Sequence, residues 1–159
     1  MTLSRLVLML LAAAYVPSPA RAAGDPAGTP IWVNAGLQSY HFRRDKDYRE
    51  QNWGIGAEAL FAPDHALMLG TYLNSENVRS RYFGYQWRPF HWQPGGLNVS
   101  TGVAASLIDG YPTTNNRGWF LTAFPTVAVE GKWLGANVLL LPNLSQGAVL
   151  AVQLKLRVW

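Results

Sequence analysis

Cysteine is absent from all 159 residues. That removes disulfide staples, thiolate nucleophiles and cysteine-ligated metal centres together. Charge is scarce, with Asp, Glu, Lys and Arg making up only 14% of the chain. No apolar run reaches the roughly 20 residues that a membrane-crossing helix needs. There is no phosphate-binding loop, no Gly-x-Ser-x-Gly elbow and no His-x-Ser pair. His65 and His91 have no carboxylate or cysteine partners at metal-ligand spacing, so neither a metal nor another cofactor is expected.

What the chain does have begins with "MTLSRLVLMLLAAAYVPSPARA". Arg5, a short apolar run from Leu6 to Val16 and the small-x-small triplet Ala20-Arg21-Ala22 make a secretory leader, with cleavage expected after Ala22. Residues 23–159 then form a single domain. Losing Arg5 and Arg21 lowers the net charge from +4 to +2, too little to argue for a nucleic-acid partner.

Beyond the leader, alternation with a period of two recurs in segments of about ten residues separated by turn formers. In "NWGIGAEALF", Trp53, Ile55, Ala57, Ala59 and Phe61 alternate with Asn52, Gly54, Gly56 and Glu58. "ALMLGTYLNS" and "GLNVSTGVAASL" repeat the pattern. One face is greasy; the other is Gly, Ser, Asn and Gln. Tyr and Trp gather near the segment ends, among them Trp32, Tyr40, Trp53, Tyr72, Trp119 and Trp159. An apolar face toward lipid, a narrow interior and aromatic girdles describe a transmembrane β-barrel.

The fold expected is therefore all-β, an eight-stranded antiparallel up-and-down barrel. Its strands fall near 31–42, 52–62, 66–75, 80–90, 96–108, 119–130, 132–141 and 148–159. An even count permits closure, which satisfies every backbone N–H in hydrocarbon. The long connections, "RRDKDYREQ" and "DGYPTTNNRG", fall at the same end, as surface loops of an outer-membrane barrel would. Trp159 is out of phase with Leu154, Leu156 and Val158, so it is either interfacial or shifted by a bulge.

In this arrangement every odd strand ends at the loop rim, which brings His41 and the pair Asn74-Ser75 to one end of the barrel. A hydroxyl, an imidazole and an amide there are suited to act as nucleophile, base and orienter. Arg43, Arg44 and Arg79 stand where lipid phosphate would lie. Pro125 and Pro142 each lack an N–H and leave a gap in a strand ladder.

These residues carry a resemblance. "YHFRRDKDYREQNWG", "LNS", "FGYQWRPF", the Gly-containing fifth strand, "FPTVAVEG" and "LLLPN" appear in the same order as in the lipid A palmitoyltransferases. These are small outer-membrane barrels that move a palmitoyl chain from phospholipid to lipid A. The resemblance implies catalytic roles for His41, Asn74 and Ser75, and an acyl-chain pocket at Gly84 and Gln86. It implies lateral lipid access at Pro125 and Pro142, and a monomer in the outer membrane of a Gram-negative bacterium whose partners are phospholipid and lipopolysaccharide. Asn74 stands where the family has aspartate, and Gln86 where it has glycine. "AGDPAGTP" has neither the length nor the amphipathic pattern of the helix that precedes the family's first strand. Three alternatives stay open: an acyl hydrolase, a non-enzymatic structural or lipid-binding barrel, and a soluble lipocalin-like carrier.

Overall fold

The computed structural model describes residues 29–43, 47–142 and 147–159. The expected leader, Arg44 and the Asn143 end of "LLLPN" lie outside the described residues. Eight strands follow one another: β1 (Ile31–His41), β2 (Gln51–Ala62), β3 (His65–Leu73), β4 (Arg79–Trp92), β5 (Asn98–Ile108), β6 (Phe120–Glu130), β7 (Leu134–Leu141) and β8 (Val149–Arg157). Each pairs antiparallel with the next, and β8 pairs back onto β1 to close the barrel. Closure pairs the first strand with the last, so neither is a free outer edge.

The expected strand count and order hold, and most ends move by one or two residues. Two connections differ more. Pro94–Gly96 makes a single 3₁₀ turn, so β5 begins at Asn98. The link expected at Gly131 alone spans 131–133, closed by Gly131 N–H donating to the Leu134 carbonyl at 2.8 Å. One end of the barrel thus carries short turns, and the other carries the longer connections 42–50, 74–78, 109–119 and 142–148.

The two faces separate as the alternation requires. Every strand turns a large apolar side chain outward: Ile31, Ile55, Leu69, Phe83, Leu107, Leu121, Leu134 and Leu154. Leu121 and Leu134 are 71% and 70% exposed, so the outer wall is an apolar belt. Inside lie Asn34, Ser39, Asn52, Gln86, Ser100, Ser106 and Asn137, all buried.

Two bulges inside the strands adjust this pattern, and a third register shift, between Leu60 and Ala62, lies beside the β2–β3 turn. At Gly36 (φ 65°) the β1 register shifts against both neighbours. Trp32 and Asn34 are buried before it, and Ser39 and His41 are buried after it, so the inward parity changes from even to odd. A left-handed residue at a bulge is the natural place for glycine. In β4, Trp87 faces Val103 and Phe90 faces Thr101, so Arg88 and Pro89 share the second bulge, where a missing N–H costs no ladder bond. The β7–β8 ladder has no shift, and Trp159 lies exposed beyond the end of β8. Past Arg157 the N–H groups of Val158 and Trp159 both donate to the Ile31 carbonyl, at 2.9 and 3.3 Å, the two-against-one bonding of a bulge.

Charge was expected in the loops, with little inside. The interior of the turn-end half instead holds four ionic groups. Lys155 Nζ lies 3.0 Å from Glu58 Oε1 and 2.6 Å from Glu130 Oε1. Arg88 lies 3.2 Å from each of the same carboxylates. Asn137 Nδ2 donates to Glu58 Oε2 at 2.8 Å, and Lys155 Nζ sits 4.9 Å from the centroid of the Trp32 ring. Two cations against two anions leave the buried cluster neutral, which is the condition for tolerating it.

Candidate functional site

Above the ionic cluster the barrel is hollow. A cavity of about 410 Å³ opens toward the loop end, within the range that holds small ligands. Its middle wall is apolar, formed by Leu37, Ile108, Phe124, Leu139, Leu141 and Val149. Polar groups interleave with it: His41, Ser75 and Tyr111 at the rim, Ser39, Ser106, Thr122 and Gln153 along the wall, Gln86 and Asn137 toward the ionic cluster.

His41 reaches this cavity because the Gly36 bulge turns it inward. Its ring is buried and stacked on Tyr48, with centroids 4.5 Å apart and planes 13° from parallel. Stacking holds the plane of the imidazole. The Glu50 carboxylate approaches the His41 backbone N–H at 3.5 Å, placing an acid beside the histidine. Below it, Ser39 Oγ donates to Asn52 Oδ1 at 2.7 Å, and Asn52 Nδ2 donates to the Leu73 carbonyl at 2.9 Å, tying β1, β2 and β3 together.

Ser75 comes to the same cavity from the connection after β3. Its carbonyl accepts from Arg49 N–H at 3.0 Å, so the segment that stacks on His41 also anchors Ser75. Asn74 is fully buried, and its amide is committed to the loop. Nδ2 donates to Ser80 Oγ and to the Gly110 carbonyl, each at 3.0 Å. Oδ1 accepts from the N–H groups of Glu76 (2.9 Å) and Val78 (3.0 Å). An amide has two donors and two acceptor lone pairs, and all four are used.

The connection 109–119 folds over this end. Glu76 accepts from both the N–H and the hydroxyl of Thr113, and Arg81 grips Asp109 with Nη2 at 2.5 Å. The Tyr111 hydroxyl meets that of Tyr72 at 3.0 Å. Burial pushes Tyr111 above its ordinary 10.0, reinforced by the Glu76 charge; the hydroxyls of Tyr72 and Ser75 pull the other way. Tyr111 is therefore a neutral hydroxyl at physiological pH.

The wall beside the cavity is incompletely laced. β6 pairs with β7 only from Thr126 with Leu139 to Glu130 with Gly135. Among the described residues, Phe120–Pro125 have no partner on β7, and Leu140 and Leu141 pair only with β8. The gap starts at Pro125, which faces outward, and Pro142 is both exposed and part of the cavity lining.

Of the residues singled out in the sequence, His41, Ser75, Gln86 and Pro142 line one cavity. Asn74 is buried behind Ser75. Gly84 faces the interior, where a Cβ would crowd the Met68 methyl and Ser106 hydroxyl. Arg43 and Arg79 are exposed at the loop rim, and Arg44 lies outside the described residues. His65 and His91, at the turn end, are engaged by the Tyr85 hydroxyl (2.5 Å) and Asp64 (2.8 Å). Sequence reasoning did not identify Glu50, Tyr72, Tyr111 or the four-charge cluster as parts of the interior. Only the inward phase of Glu58, between Ala57 and Ala59, signalled the cluster.

Fold and site together define a closed eight-stranded barrel with an interior cavity open at its loop end. No protein-family model matches the chain, and no curated protein matches it.

Proposed function

We propose that this protein is an outer-membrane lipid acyltransferase, similar to the lipid A palmitoyltransferases, that moves a fatty acyl chain from phospholipid to lipid A. The observation that carries the reading is the cavity: apolar walls, a rim bearing His41 and Ser75, and a sidewall gap between β6 and β7. The apolar belt on all eight strands supports residence in a bilayer, with the exposed Arg43 and Arg79 of the loop rim meeting lipid phosphate.

In this reading a phospholipid acyl chain enters through the gap that begins at Pro125 and lies in the cavity. Ser75 attacks the ester carbonyl while His41 takes its proton, then returns it to the departing glycerol oxygen. A hydroxyl of lipid A accepts the acyl group by the same relay run backward. Glu50 offsets the charge that His41 acquires, while Asn74 is a positioning residue that holds the Ser75 loop.

Mass spectrometry of lipid A from cells with and without expression tests this. A species heavier by one acyl chain is expected. No such species, in membranes containing the folded protein, would overturn the transferase assignment. Free fatty acid without new lipid A would assign hydrolysis instead. The full commitment of the Asn74 amide to Glu76, Val78, Ser80 and Gly110 favours a second reading, a non-enzymatic lipid-binding barrel. That reading requires His41→Ala and Ser75→Ala to leave the lipid A profile unchanged.

A further inference from the structure

The inner end of the cavity is not apolar. Gln86 and Asn137 are each 1% exposed and line it, yet among the described residues Gln86 Oε1 and Asn137 Oδ1 have no hydrogen-bond partner. Among the same residues the Gln86 amide makes one bond, a weak donation to Met68 Sδ at 3.2 Å. The two residues belong to one layer: Met68 pairs across the ladder with Glu58, and Glu58 accepts from Asn137. This layer roofs the ionic cluster and forms the polar bottom of an otherwise greasy pocket.

A plain alkyl terminus pressed against that layer would leave both oxygens unsatisfied, and a buried acceptor without a partner is unfavourable. A ligand with a hydroxyl at that depth would supply the missing donor. We propose that the bottom of the cavity is a hydrogen-bonding subsite for an oxygenated acyl chain, one carrying a hydroxyl toward its distal end. The inference rests on the acyl-chain reading of the cavity and names the class of chain. The physical precedent is general: a site built to bond a substrate hydroxyl rejects the analogue that lacks it.

Met68 makes the test local. It is the only methionine after Met9, so a ¹³C-methyl methionine label reports on this layer. The protein in detergent micelles is titrated with dodecanoate and with 12-hydroxydodecanoate, following the Met68 methyl by NMR. The hydroxylated chain is expected to bind about tenfold more tightly. Gln86→Leu, checked for β-sheet content by circular dichroism, is expected to abolish or reverse that preference; Gln86→Ala is the second variant, and neither adds a methionine. Equal affinity for the two chains, or a preference that survives both substitutions, overturns the subsite while leaving the acyl pocket standing. No methyl shift with either chain overturns the subsite and the acyl pocket together.

Discussion

His41 illustrates how little of a side chain's role is set by its own chemistry. Imidazole is a useful base only where its plane and its approach to a hydroxyl are held. Here Tyr48 supplies the plane, and the segment Arg49–Glu50 links it to Ser75 and a carboxylate. His41→Ala should lower acyl transfer by about 10²–10⁴-fold, the usual worth of a positioned base, measured as the rate of lipid A mass gain. Asn74 behaves differently. Asn74→Ala strips partners from two backbone N–H groups and from the Gly110 carbonyl, and should cost about 1–3 kcal/mol of stability. The midpoint of urea unfolding in lipid vesicles measures it. The polar residues of the rim were legible because topology alone brings the ends of β1 and β3 together. The side-chain bonds of Asn74 were not, since an amide gives no sequence sign of which partners it will find.

Strands β6 and β7 are the pair whose ladder is shortest, and the sequence marks the place with Pro125 and Pro142. Proline at a ladder position leaves a carbonyl across from it unserved, so pairing above Thr126 gains less and the strands part. Continued pairing would set Pro125 opposite Leu140. With no cysteine elsewhere, a Pro125→Cys/Leu140→Cys variant can form just one intramolecular bridge. Oxidation should suppress acyl transfer and reduction should restore it, read again by lipid A mass spectrometry. Transfer unaffected by the bridge would place lipid entry elsewhere. In β1 the decisive feature is Gly36, whose bulge exchanges the inner and outer phases. Alternation read straight through the strand would have placed His41 on the outer side, opposite to Trp32.

For the molecule as a whole, an inside that is both polar and closed is the feature that distinguishes it from a simple greasy pocket. The cluster of Glu58, Arg88, Glu130 and Lys155 fills the turn-end half and leaves the hollow to the loop-end half. Lys155→Met leaves two buried carboxylates with only Arg88 to offset them, and should cost about 3–5 kcal/mol, again read from the unfolding midpoint. Replacing all four by apolar residues of matched volume should recover most of that loss, because no buried charge then lacks a partner.

The eight strands, their order and the sorting of greasy from polar faces were present in the chain itself, because a strand's two-residue period writes its two environments directly into the residue order. Closure followed from the same pattern, since an even set of hairpins can bury its last edge only against its first. What the tertiary structure decided was phase and partnership: the bulge at Gly36 that turns His41 inward, the ladder that stops at Thr126, and the meeting of four charges from β2, β4, β6 and β8. Those depend on contacts between residues far apart in the chain, such as Glu58 and Lys155 or Ala35 and Leu154, and local periodicity carries no record of them.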